Sequence, residues 1–271
     1  MPTRETAPTG APCWIDLQTS DPDSARAFYA GLFGWEAGEG SPEFGGYWMF
    51  NRDGVPVAGG MRSDEQAPVP DVWCLYLSVP DATKALEGAV EHGGQVVVPA
   101  MPVADLGQMG FLTDPGGAAI GVWQPGTFPG LTVLAEPGAP GWFELHTRDY
   151  GSVVDFYRDV FGWSTHVVGD SSEFRYTVVV DPEVPQAPGV PEGAGQLAGV
   201  MDSAGFLPEG VPAHWAVYFA VADTDAAATR VVELGGSVSQ AAEDTPYGRL
   251  AVVADPQGAS FRLIGPNAAQ A

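Results

Sequence analysis

Basic residues are scarce in this chain: 11 Lys and Arg stand against 34 Asp and Glu among 271 residues, a net charge of −23. A field of that sign repels phosphate backbones and anionic lipids, so neither nucleic acid nor a membrane surface is an expected partner. Long apolar runs are absent as well, and none approaches the roughly 18 residues of a membrane span. The opening MPTRETAPTGAP has no apolar signal-peptide core, and residues 1–11 read as a flexible tail. Cys13 and Cys74 are too few for a disulfide framework, so the chain reads as cytoplasmic with free thiols. The sequence DVWCLYL around Cys74 supplies no base, which makes that thiol a buried small hydrophobe rather than a nucleophile. The four histidines form no HxH or HxxxH spacing, so no metal and no other cofactor is expected.

What the chain does have is a repeat of itself. TSDPDSARAFYAGLFGW at 19–35 returns as TRDYGSVVDFYRDVFGW at 147–163, with Asp21, Phe28, Tyr29, Phe33, Gly34 and Trp35 recurring 128 positions later. Asp81–Gly94 returns at Asp223–Gly236, and the Asp114-Pro115 turn returns at Asp255-Pro256. Duplication on this scale means two folding modules. The positions where the copies differ then point to chemistry.

Each half reads as strand, Asp-led helix and shorter strands, twice over. In the first, Cys13–Thr19 alternates as a strand, and a helix follows from Asp21 to Leu32 with Ala25, Phe28, Tyr29 and Leu32 as its packing stripe. A hairpin forms around Asp53-Gly54, then a strand at Val72–Val79, a helix from Asp81 to Glu91, and three closing strands. The second half repeats this from Trp142–Thr147 to Ser260–Ile264. The predicted fold class is α+β: two tandem modules, each of paired βαβββ units forming a cupped, mostly antiparallel sheet. The modules span residues 12–124 and 141–266, joined by a Pro/Gly-rich linker over 125–140. Asp181–Gln196, rich in proline, is an insertion found only in the second half, either a surface loop or a flap over a cleft.

The motifs FYAGLFGWE and FYRDVFGW, the turns HGGQVVVP and LGGSVSQA, and the endings DPGGAAIGVW and DPQGASFRLI resemble the vicinal oxygen chelate superfamily. That superfamily includes glyoxalase I, extradiol dioxygenases, fosfomycin-inactivating enzymes and bleomycin-binding proteins. The resemblance covers about Ala11 to Pro266, and the tandem form ending TPYGRLAVVADPQGASFRLI is similar to an actinobacterial group whose members carry hydroxylase-like, antigen-like and kinase-inhibitor-like labels. In metal-using members, four strands each supply one His, Gln or Glu. The matching positions here are Trp14, Cys74 and Gly121 in one module and Trp142, Ala216 and Arg262 in the other, with the fourth falling near Gly59–Met61 and Gly199–Met201. None of these stretches holds the residues such a site needs.

Period-two alternation puts Trp14, Asp16 and Gln18 on one face of their strand, and Trp142, Glu144 and His146 on the matching face of its copy. Glu144 and His146 with Arg262 make a candidate acid/base and anion-anchoring set. Alternatively, Glu144 and Arg262 form an ion pair that only orders the cleft. Trp14, Asp16, Trp123, Trp142, His214, Tyr218, Tyr247, Arg249 and Arg262 are the expected ligand contacts, the second module being the more polar. The leading expectation is metal-independent binding of an aromatic or polyketide-like metabolite. Lyase or isomerase chemistry by Glu144 and His146 is the alternative, and a regulatory protein partner or homodimer is the third.

Overall fold

Among the described residues, three of the four α-helices begin on an aspartate that accepts a backbone N–H three residues on: Asp21 from Ser24, Asp81 from Lys84 and Asp223 from Ala226. Asp149 makes no such side-chain cap; Thr147 Oγ1 instead accepts the Asp149 N–H at 3.1 Å. Gly34 and Gly162 end the two FGW helices at φ 71° and 70°, a left-handed conformation that other residues resist.

The computed structural model describes residues 4–63, 70–171, 174–184 and 193–268. The first half runs β1 (Pro12–Thr19), α1 (Pro22–Phe33), β2 (Glu36–Ala37), β3 (Trp48–Arg52), β4 (Val55–Arg62), β5 (Val72–Ser78), α2 (Ala82–Glu91), β6 (Gln95–Val103), β7 (Gly107–Thr113) and β8 (Ala119–Pro125). The second runs β9 (Pro140–Thr147), α3 (Tyr150–Phe161), β10 (Ser164–Asp170), β11 (Arg175–Val180), β12 (Gln196–Asp202), β13 (His214–Ala220), α4 (Thr224–Glu233), β14 (Ser237–Thr245), β15 (Gly248–Ala254) and β16 (Ser260–Gly265). Each half is one eight-stranded sheet, ordered β2-β3-β4-β1-β5-β8-β7-β6 and β10-β11-β12-β9-β13-β16-β15-β14. Among the described residues, only β1–β4 and β5–β8, with their copies, pair in parallel. The fold is α+β in two tandem modules.

Two features depart from the sequence reading. The strand β10 was not expected, because STHVVGD lacks alternation and gains its place as an edge by pairing with β11. The segment read as a flexible tail is docked over residues 4–11: Arg4 donates to the carbonyls of Leu131 and Pro12, and Gly10 donates to Ser78 O at 2.7 Å. The linker is also packed, with Leu131 donating to Cys13 O at 2.7 Å and Leu131 and Ala139 buried. The insertion Asp181–Gln196, read as either a surface loop or a flap, falls largely on residues 185–192, outside the described residues.

One apolar core serves both modules. Phe33 and Trp35 of the first half pack on Phe219 of the second at 5.0 and 5.5 Å between ring centres. Trp73 donates to Tyr29 Oη, which donates onward to Asp255 in the other half at 3.1 Å. Trp215, Tyr157 and Asp114 repeat that relay in the opposite direction. The repeated Tyr and Asp residues therefore lock the halves together. They do not line the clefts.

Candidate functional site

On the face of each sheet away from the shared core, the face expected to form the cleft, β1 or β9 and its neighbours bring side chains into rows. In the second module Glu144 stands between Gly199 on β12 and Ala216 on β13, while Trp142, Tyr218 and Arg262 form the next row. His146 falls between Met201 and His214. Residues in register on adjacent strands share a face, so these side chains converge.

Gly199 makes room for a hydroxyl: a Cβ there would come within 1.8 Å of Tyr176 Oη. Into that space Tyr176 donates to Glu144 Oε2 at 2.8 Å, while accepting from Trp142 Nε1 at 3.1 Å. Tyr218 donates to Glu144 Oε1 at 2.8 Å. His146 Nε2 is 2.9 Å from the same Oε1, in a geometry poorly aligned for a hydrogen bond. Its Nδ1 faces Ser203 Oγ at 3.1 Å, and its ring stacks on His214 at 5.3 Å with the planes 8° apart.

Glu144 is 7% exposed. Burial alone would push its carboxyl up, but His146, Tyr218 and Tyr176 together outweigh burial and hold it below the usual carboxylate range. Burial lowers the His214 imidazole, and the nearby His146 and Arg262 lower it further, against a hydrogen bond with the Pro212 carbonyl. The Arg262 guanidinium does not pair with Glu144 as the sequence allowed. It lies over the Tyr218 ring, 5.2 Å from its centre.

The first module repeats the plan with a weaker charge. Tyr76 donates to Asp16 Oδ2 at 2.7 Å, and Trp14 Nε1 donates to Tyr47 Oη at 2.8 Å. Asp16 is one methylene shorter than Glu144 and has Gln18 where the copy has His146. Its Oδ1 is buried without a well-aligned donor. Burial pushes this carboxyl up to about 7, against the pull of Tyr76 and Gln18. Phe128 of the linker packs edge-on against Trp14 at 4.8 Å and against Trp123 at 6.1 Å.

The structure thus joins Glu144, His146, Trp142, His214, Tyr218 and Arg262 in one cleft, and Trp14, Asp16 and Trp123 in the other. Tyr247 and Arg249 are corrections to the expected site. Arg249 is held by Asp225 of α4 at 2.6 Å and Asp244 at 2.8 Å, on the helix side of the sheet. Tyr247 is exposed in the β14–β15 turn, and no described contact joins it to Glu144. Tyr47, Tyr176, Phe174 and Phe206 were missed. Phe174 stacks on Tyr176 at 5.8 Å, and Phe206, 59% exposed, stands edge-on to His146 at 6.1 Å. Phe206 also lines a cavity of about 330 Å3 with Asp170, Arg175 and Asp202.

The donor set does not fit a metal of the kind such folds hold. The strand positions carry Trp14, Cys74 and Gly121 in one module and Trp142, Ala216 and Arg262 in the other, with the fourth near Gly59–Met61 and Gly199–Met201, and a cationic Arg opposes a metal ion. Among the described residues, no group of three or more His, Cys, Asp or Glu is placed to hold one. No helix among them is long and apolar enough to cross a membrane.

Residues 13–122 match the family model described as the Glyoxalase/Bleomycin resistance protein/Dioxygenase superfamily, and 142–264 match the glyoxalase-like domain. The protein named "Putative glyoxylase CFP32" from Mycobacterium tuberculosis (strain CDC 1551 / Oshkosh) is 37% identical over 271 residues, covering 98% of each chain. The anthracycline biosynthesis protein DnrV of Streptomyces peucetius is 38% identical over 269 residues, covering 94% of this chain and 93% of its own. The Mn(II)-bound glyoxalase from Novosphingobium aromaticivorans superposes with a TM-score of 0.61 at 17% identity, covering 95% of this chain and 82% of that one. The 2,3-dioxygenase LapB from Pseudomonas sp. KL28 gives 0.64 at 15% identity, over 96% and 94%. At such identities the structural likeness is one of fold.

Proposed function

The chain belongs to the glyoxalase/bleomycin resistance protein/dioxygenase superfamily, and from that premise we propose that it binds a small aromatic metabolite in the second cleft without a metal. The observation that carries this reading is the substitution of a hydrogen-bonded organic network, Trp142–Tyr176–Glu144–Tyr218, for a set of metal donors. Rings at the rim suit a flat apolar ligand, and the polar floor fixes its orientation. The first cleft has Phe128 packed between its tryptophans, which favours the second as the open site. A relative named for anthracycline biosynthesis supports a fused-ring ligand.

Native mass spectrometry of protein from its own host tests the proposal. The expected result is one organic ligand per chain and well under one equivalent of metal. Stoichiometric Zn, Mn, Fe or Ni with no organic adduct would overturn it.

A second reading, acid–base catalysis, draws on the 2.9 Å Glu144–His146 contact. A carboxylate held below its usual range is in its base form at neutral pH, and the adjacent imidazole is suited to accept or return a proton. Glu144→Gln separates the two readings: loss of turnover with retained binding marks an enzyme.

A further inference from the structure

Arg262 differs from every other cation in the molecule. All 11 Lys and Arg lie among the described residues, and the other ten each pair with a carboxylate or donate to a backbone carbonyl. Arg262 does neither. Its guanidinium lies across the Tyr218 ring, and the residue is half-buried. Tyr218 in turn donates to Glu144, so an aromatic ring stands between the free cation and the buried carboxylate.

A guanidinium is planar and presents a fork of N–H donors that matches the two oxygens of a carboxylate. With one face against an aromatic ring, its donors remain available to a ligand. On the neighbouring strand His214 Nδ1 is 3.0 Å from Pro212 O. That carbonyl accepts only, so Nδ1 carries the proton and Nε2 of the neutral ring is left as an acceptor. The exposed Phe206 and half-buried Trp142 add flat apolar surface nearby.

Resting on the reading of this cleft as a small-molecule site, we propose that its ligand is a flat aromatic carboxylate whose anionic group seats on Arg262. The chain's charge of −23 opposes an anion at long range. At physiological ionic strength, however, charges beyond about 8 Å are largely screened, while a contact pair in a partly desolvated cleft is screened much less. The first module offers no equivalent. Gly121 stands at the Arg262 position, and the Tyr76 ring fills the space that its side chain would need.

The test is a binding titration of the full-length protein with 2-naphthoate and 2-anthroate, each against its neutral amide. The native protein should bind each carboxylate at least tenfold more tightly than its amide. Arg262→Gln should abolish that preference and leave amide affinity within twofold, while Arg249→Gln, outside the cleft, should retain it. Equal affinity for acid and amide, or a preference surviving in Arg262→Gln, overturns the carboxylate proposal and leaves the small-molecule reading standing. Failure of all four probes to bind overturns both. Circular dichroism of Arg262→Gln should be native, since the first module folds with glycine at the matching position.

Discussion

Trp35 in the first module donates its indole N–H to the carbonyl of Gly138, at the threshold of the second, over 2.7 Å. Trp163 returns the bond to Gly10, at the threshold of the first, over 2.8 Å. Both donor and acceptor recur at an offset of 128, so the bonds are one device used in both directions. With the two Trp–Tyr–Asp relays they make the modules mutually dependent.

That dependence predicts a single unfolding transition. Tyr29→Phe removes a hydroxyl that serves both Trp73 and Asp255, leaving two buried groups short of a partner, at a cost of about 2–3 kcal/mol. Tyr157→Phe should cost a similar amount. Urea unfolding followed by tryptophan fluorescence and by circular dichroism should give coincident curves for both variants. Two separate transitions would show that the modules fold alone.

Stability should fall as pH rises from about 4 to 7, and Asp16 should be one cause. Its folded pKa of about 7 lies above the unfolded carboxylate value, so the native state holds the proton longer and loses up to about 1.4 kcal/mol per pH unit across that window. Asp114, raised to about 6 chiefly by burial, acts in the same direction over a narrower range. Asp16→Asn should therefore gain on the native protein between pH 5 and 7.5. A difference in urea midpoint that is flat with pH would refute the assignment.

Glu144 should behave in the opposite sense. Its depressed folded pKa contributes stability above the unfolded value, which is lost as pH falls through the folded one. Glu144→Gln at pH 7 removes a buried charge that answers two tyrosines and His146, and should cost about 2–4 kcal/mol. Paired with Asp16→Asn in the same denaturation series, the two isosteric changes should move stability in opposite directions at pH 7.5.

Phe128→Ala should open the first cleft. The ring packs between Trp14 and Trp123, and its loss should cost roughly 1–3 kcal/mol. It should also create a second site for an apolar probe such as naphthalene. Calorimetric stoichiometry should rise from one to two per chain, and an unchanged value would mean that another group closes that mouth.

Most of the architecture was legible because the duplication is written in residues that cannot drift freely. Asp21, Gly34 and Asp114 each answer a fixed backbone demand: a helix start, a left-handed helix end and a tight turn. The cleft was only half legible. Asp16 and Glu144 showed themselves through strand alternation, and the glycines at ligand positions through the resemblance. Tyr47 and Tyr176 stayed hidden because they recur at an offset of 129, out of step with the motifs before them, and work by reaching across to a glycine on the neighbouring strand. Phe206 comes from the loop between β12 and β13, outside the repeated motifs, and Arg249 misled because alternation alone does not say which face of an edge hairpin meets a helix. A carboxylate's effective charge is likewise a three-dimensional property: Asp16 and Glu144 look interchangeable in sequence and titrate in opposite directions.

The two crossed indole bonds bear on how the clefts became unlike. Separate chains held by such reciprocal contacts would form a symmetric pair, and every substitution would be installed twice. A cation set in one cleft would then be set in the other, where it would meet the Tyr76 ring. Covalent continuity through residues 126–139 lifts that constraint, because each copy of a position is encoded on its own. Arg262 opposite Gly121, and His146 opposite Gln18, are asymmetries that a pair of identical chains could not carry. The shared core holds the pair as one frame while the two sheet faces differ.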